Sequence, residues 1–391
     1  MDFAERVRHL EPEGAYHMLA RAQALEAQGR DVIHLELGEP DFRAESHVAE
    51  AGVGAILEGH TRYNPPRGIA PLREAIAADA GRRRGIKVRP EQVVVSPGAK
   101  PNLFFPTLAL VSPGDEAITP DPGFPTYEAM IGVAGGVAVP VPLLEETGFS
   151  FDLDAFDSLL SDRTRVVILN SPANPTGGVL PLEALEHIAQ AAIERDLWVL
   201  SDEIYSRLVY DGQSAPSIAA LPGMAERTVI IDGFSKTFAM TGWRLGYGIM
   251  PESLADRMNL LMTHSVGCTA HFTQIAGIEA LEGPQGWVDD MVAQYQQRRD
   301  VLVAGLNAID GVRCELPAGA FYAFPNVTAF AQSADEIAER LLDQAGVAVL
   351  SGTSFGQYGD GYLRLAYCNS LANIERALER MSPVFDGLDR V

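Results

Sequence analysis

At 391 residues, 47% hydrophobic and 21% charged, the chain can bury a substantial core in one large domain or two, and its balance is not that of a disordered protein. The net charge of −22, from 52 acidic against 30 basic residues, argues against nucleic acid as a partner, because phosphate binding needs a basic face. No apolar stretch approaches a membrane span. Cys268, Cys314 and Cys368 are odd in number and show no CxxC spacing, so they read as reduced thiols of a cytoplasmic protein.

The opening Met1–Arg6 is charged with no apolar core behind it, and no secretory leader is expected. Residues 15–30, AYHMLARAQALEAQGR, carry the apolar spacing of an amphipathic helix and lead into VIHLELGEPDF. The middle of the chain then alternates short apolar runs with helix-like stretches. Seven runs are expected strands: Gln92–Val95, Glu116–Thr119, Gly136–Val141, Val166–Leu169, Leu197–Leu200, Val229–Ile231 and Leu245–Ile249. Between two of them, Pro181–Asp196 places proline at a first turn and apolar residues at helical spacing. The repetition implies an α/β fold, a mostly parallel seven-stranded sheet flanked by helices. Beyond about residue 285, a long polar helix over 289–309, short strands and further helices form an α+β pattern. The expected division is a large domain over residues 46–285 and a small one built from residues 1–45 and 286–391.

Ligands of such sheets bind beyond the carboxyl ends of the strands. Four runs end on polar or glycine-rich sequence there. Val95 precedes Ser96-Pro97-Gly98-Ala99-Lys100, and Leu169 precedes Asn170-Ser171-Pro172-Ala173-Asn174. Leu200 precedes Ser201-Asp202-Glu203-Ile204-Tyr205, and Ile231 precedes Asp232-Gly233-Phe234-Ser235-Lys236. If the strands are parallel, an acid, an amide, a phenol, a lysine and a glycine loop meet on one rim. No GKS or GKT, HExxH or GxSxG occurs, and Gly52-Val53-Gly54 meets Leu57 where a nicotinamide fingerprint needs a third glycine. The histidines, His264 and His271 included, show no ligand spacing, and no metal is expected. A lysine that can bond an aldehyde, a carboxylate for a pyridinium nitrogen and donors for a phosphate together describe a pyridoxal phosphate site.

GEPDF (38–42), YNPPRG (63–68), NPTGG (174–178), SDEIY (201–205) and SKTFAMTGWRLGY (235–247) resemble fold-type I pyridoxal phosphate enzymes, specifically class I aminotransferases related to aspartate aminotransferase. The resemblance runs in order over nearly the whole chain. It implies that Lys236 carries the cofactor and moves the proton at the substrate's α-carbon. Asp202 pairs with the pyridine nitrogen, and Asn174 and Tyr205 serve the ring's phenolic oxygen. Arg244, Ser235 and the backbone of Gly98, Ala99 and Lys100 hold the phosphate, with Ser235 standing in for a hydroxyl lost at Gly233. Tyr63 completes the site of a neighbouring subunit in a homodimer, and Phe124 stacks on the cofactor. Arg364 and Gly38 hold the substrate's α-carboxylate together with Asn174. Lys100 stands where one branch of the family binds a distal carboxylate. No arginine occurs over 263–274, where aspartate-specific members bring one from the partner.

The implied activity is ping-pong transamination of amino acids, with glutamate and 2-oxoglutarate as one pair and aspartate a further candidate. A β-lyase or a cyclopropane amino acid synthase would use the same residues, and a ligand-sensing regulator would use the same fold. Each residue also has a plainer reading. Lys236 can be a solvated lysine, Asp202 the cap of a helix over EIYSRLVY, and Asn174-Pro175 a turn. Arg364 can lie on the polar face of a strand, Tyr63 in a loop, Phe124 in the core, and Lys100 in water at a first helical turn.

Overall fold

The computed structural model describes residues 3–8, 10 and 12–391. Met1 and Asp2, on which part of the amino-terminal reading falls, lie outside the described residues. Thirteen strands occur among the described residues. They are β1 (Ile33–His34), β2 (Val93–Ser96), β3 (Glu116–Asp121), β4 (Val137–Leu144), β5 (Ser150–Phe151), β6 (Thr164–Asn170), β7 (Trp198–Asp202), β8 (Thr228–Gly233), β9 (Gly246–Ile249), β10 (Tyr322–Ala323), β11 (Val347–Ala348), β12 (Leu350–Ser351) and β13 (Leu363–Ala366).

All seven expected runs are strands of one sheet, but that sheet has eight members in the order β2-β9-β8-β7-β6-β3-β4-β5. The eighth, β5, is a two-residue strand pairing antiparallel with the end of β4, too short to give an apolar period. β4, β3, β6, β7 and β8 run parallel. β9 is antiparallel to both β8 and β2, so β2 points the same way as the parallel set. The valine- and isoleucine-rich runs of β6, β7 and β8 are buried on both faces, as parallel strands covered by helices must be. The ends of β2, β6, β7 and β8 therefore open on one edge.

Both ends of the chain meet beside this sheet. β1 pairs in parallel with β11, and the N–H of Leu35 donates to Ala348 O at 3.0 Å. β10, β13 and β12 form a three-stranded antiparallel sheet. The helices Gly286–Asn307 and Leu371–Asp386 pack on each other. The amino-terminal helix spans Gly14–Glu26 and ends four residues before the expected stop, in a turn where Gly29 adopts φ 87°. Asp202 caps no helix: residues 203–208 turn without forming one. β13 is buried throughout, so the alternation of YLRLAY gives no polar face, and Arg364 is inside.

Candidate active site

The strand ends enclose a cavity of about 590 Å³, a size that suits a cofactor with a small substrate. Gly38, Ala99, Lys100, Phe124, Asn174, Asp202, Tyr205, Ser235, Lys236, Arg244 and Arg364 all line it. Gly98 lies directly behind, where an added Cβ would stand 2.2 Å from Nη2 of Arg244; its φ of 85° further restricts that position to glycine. Tyr63 is not brought here. It is 99% exposed and lines a separate surface hollow with Asn64, Cys268 and His271.

Lys236 follows the end of β8 by three residues and donates from Nζ to Gly38 O at 2.6 Å. The rings of Phe321 and Tyr205 lie 5.6 and 6.0 Å from its Nζ. Burial among them pulls the ammonium down to about 8, since a charge deprived of water gives up its proton more easily. Lys236 is thus half-buried in the cavity wall rather than a solvated surface cation.

Asp202 closes β7 at 5% exposure. Burial pushes its carboxyl up to about 7, reinforced by the neighbouring charges of Asp232 and Glu203. Hydrogen bonds from Tyr127 Oη (2.9 Å) and the Ile204 N–H (3.3 Å) oppose the shift. A cation placed against it, such as a protonated pyridine nitrogen, favours the carboxylate.

Arg364 is 4% exposed. Its Nη1 donates to Asn174 Oδ1 at 3.3 Å and its Nη2 to Glu36 O. Tyr322 and Phe355 flank the guanidinium at 4.7 and 4.9 Å. Nε has no partner, and among the described residues no carboxylate pairs with this buried charge. Such an arrangement calls for an external anion.

The residues present fit pyridoxal phosphate on three observations of this chain. The N–H groups of Gly98, Ala99 and Lys100, at the start of the helix Pro101–Leu110, have no acceptor among the described residues, which is the usual provision for a phosphate. Arg244 turns toward the same loop with φ 54°, its Nη2 3.4 Å from Pro97 O. Asp202 and Lys236 both line the cavity, one a carboxyl that could pair with a pyridinium and the other an amine that could bond an aldehyde. Gly233, by contrast, is spent on strand packing: an added Cβ would stand 3.0 Å from Gly246 Cα.

Comparison with known proteins settles the class. Residues 30–381 match the family described as aminotransferase class I and II. The chain belongs to the class I and II aminotransferase family. It is 38% identical over 387 residues to an aspartate aminotransferase of Pyrococcus horikoshii, covering 98% of this chain and 97% of the relative. It is 37% identical over 387 residues to an aromatic-amino-acid aminotransferase of Thermococcus litoralis, covering 98% of each. The solved aspartate aminotransferase of Thermus thermophilus with maleate superposes with a TM-score of 0.94 at 39% identity, over 98% of this chain and 100% of that one. The expected fold is therefore the observed one, and this aminotransferase is a pyridoxal phosphate enzyme acting on amino acids. Among the described residues no cluster can hold a metal ion, and no helix is long and apolar enough to cross a membrane.

Four residues of the site went unread in the sequence as ligand contacts. Tyr127 holds Asp202, and Asn170 binds both Asp202 O through Nδ2 (3.1 Å) and the Asn174 N–H through Oδ1 (2.8 Å). Tyr322 shares a 2.8 Å hydrogen bond with Tyr205 Oη and faces Arg364. Glu13 binds Lys100. Asn170 was visible as the polar end of an apolar run. Tyr127 and Tyr322 sit in aromatic stretches, GFPTYEA and GAFYAFP, whose plain reading is core.

Proposed function

We propose that this aminotransferase exchanges the amino group of glutamate with a 2-oxo acid in a ping-pong cycle, 2-oxoglutarate being the common product and aspartate a further candidate donor. The carrying observation is the buried Arg364, which has no carboxylate partner among the described residues and whose Nε is unbonded. An α-carboxylate gripped there by two charge-assisted bonds leaves the amino group to face Lys236. Relatives named for aspartate and a Thermus structure with maleate, itself a dicarboxylate, support acidic substrates. A relative named for aromatic amino acids is as similar.

Pyridoxal phosphate, when bound, supplies the electron sink for the pair left as the Cα–H bond breaks. Asp202 keeps the ring nitrogen protonated, and Asn174 with Tyr205 serves the phenolic oxygen. Ser235, Arg244 and the loop over 98–100 hold the phosphate, with the partner subunit's Tyr63. Phe124 covers the ring face. Lys236, once free, is half deprotonated near pH 8 and takes the proton from Cα as general base. Residues 46–285 form the large domain. Residues 1–45 and 286–391 form the small one, whose movement onto the substrate excludes water.

The exposure of Tyr63 in the single chain supports the homodimer, and three unbridged cysteines support a cytoplasmic enzyme.

The test is a single turnover of cofactor-loaded protein with glutamate. One equivalent of 2-oxoglutarate with no ammonia supports transamination. Release of ammonia and pyruvate from other amino acids, with no 2-oxo acid from glutamate, points instead to the lyase. In cofactor-free protein, the rate of cofactor capture should rise with pH up to about 8 and then level, as Lys236 loses its proton.

A further inference from the structure

The outer end of the cavity contains an ion pair supplied wholly by the chain. Four cations line the cavity: Lys100, Lys236, Arg244 and Arg364. The last three already have tasks in the function proposed above, on which this inference rests. The ammonium of Lys100 is bonded to the carboxylate of Glu13. Glu13 occupies the N-cap position of the helix Gly14–Glu26, yet its side chain caps no N–H of that helix. Its oxygen is turned to Lys100 instead and also accepts from Thr126 Oγ1 at 3.4 Å. The ring of Phe124 lies 5.0 Å from the same ammonium. Glu13, Ala15 and Tyr16 line the cavity together, so the amino-terminal segment forms part of its wall.

We propose that Glu13 is a specificity-determining counter-ion. Paired with Lys100, it presents an uncharged, partly aromatic wall to an apolar or aromatic substrate side chain. When a dicarboxylic amino acid binds, Glu13 yields Lys100 to the substrate's distal carboxylate. The exchange replaces one carboxylate at Lys100 by another, and the released Glu13 carboxylate, whose side chain is 27% exposed, returns to water. The two side chains are 49% and 27% exposed, and a pair so accessible to water is weakly held and readily exchanged. An enzyme that exchanges the amino group of glutamate with that of an apolar or aromatic amino acid needs such a device, because one pocket must accept both side chains in turn. A Lys100 with no internal partner would make every apolar side chain strip water from a bare charge.

The test is the ratio of kcat/KM for glutamate to that for phenylalanine and leucine in the holoenzyme, in Glu13→Gln, in Lys100→Met and in the double variant. Glu13→Gln is expected to raise the ratio by up to about fivefold, carried mainly by KM. In the Lys100→Met background the same change should give a different, smaller rise, only the relief of repulsion between a solvated Glu13 and the substrate's carboxylate, and this cycle separates a coupled pair from a general disturbance. An unchanged ratio in Glu13→Gln overturns the proposal, as does an equal change with and without Lys100. Turnover of glutamate alone by the unmutated enzyme also overturns it, because the neutral wall then admits nothing. Inactivity of the unmutated enzyme with every amino donor overturns this inference and the proposed function together, so the two failures are distinguishable.

Discussion

Behind the pocket, Arg84 bridges Glu203 at 2.5 Å and Asp232 at 2.6 Å, with side chains 4%, 5% and 3% exposed; at the mouth, Lys100 and Glu13 make their pair half in water. The inner assembly is tied into a network. Arg83 and Tyr247 also reach Asp232, while Ser201 and Ser217 donate to Glu203. Glu203 directly follows Asp202, and Asp232 lies four residues before Lys236. One guanidinium thus fastens the two strand ends that carry the acid and the lysine. The difference teaches what burial does to the same chemistry. Inside, losing one partner strands charges that water cannot reach, so the network is rigid and sets spacing. Outside, water and salt stand ready to replace either partner, so the pair can be exchanged.

That contrast is breakable. Replacing Arg84 by Met should cost about 3–5 kcal/mol, because two buried carboxylates lose their cation. Urea unfolding of the cofactor-free protein measures it, and a loss under about 1 kcal/mol would show that the inner network is no more than a surface pair. Arg364→Leu should lower kcat/KM for every amino donor by at least about a hundredfold with little change in fold, since two charge-assisted bonds to the substrate disappear. Steady-state kinetics with circular dichroism as control decides that.

Asp202 gives a smaller effect with a definite sign. Its folded pKa, about 7, lies above the ordinary value of an aspartate in water, so the folded chain keeps the proton longer than the unfolded one. The contribution to stability is intact below the unfolded value and is lost as pH rises through about 7. Asp202→Asn, which copies the neutral form, should therefore raise the melting temperature of cofactor-free protein by several degrees at pH 8 and leave it unchanged at pH 4, while abolishing turnover. Equal melting temperatures at pH 8 would contradict the burial argument. Smallest of all, Glu13→Ala should alter unfolding stability by no more than about 1 kcal/mol, less in high salt. A larger loss would mean that the rim pair is structural.

Much of the site was legible because its residues cluster at strand ends. Asn170, Asp202 and the run before Lys236 each follow an apolar stretch, and parallel strands bring such ends to one edge whatever the loops between do. What stayed hidden was pairing. Nothing in EPEGAYH says that Glu13 will meet a lysine 87 residues away, and nothing in GAFYAFP separates Tyr322 from the core phenylalanines around it. Arg364 was placed by resemblance, whereas its own strand read as half polar. A strand covered on both faces carries no alternation to read.

The sequence by itself determined the α/β architecture and the gathering of polar strand ends along one rim, which depend on local periodicity and on groups close in the chain. The roles given to Lys236 and Asp202 came from motifs that resemble a known family. Tertiary structure alone decided how far the lysine and the acid are withdrawn from water, that Arg364 reaches the cavity with no acid beside it among the described residues, and that Lys100 has one. Those properties depend on exclusion of water and on contacts across long chain separations, and neither is written in the spacing of residues.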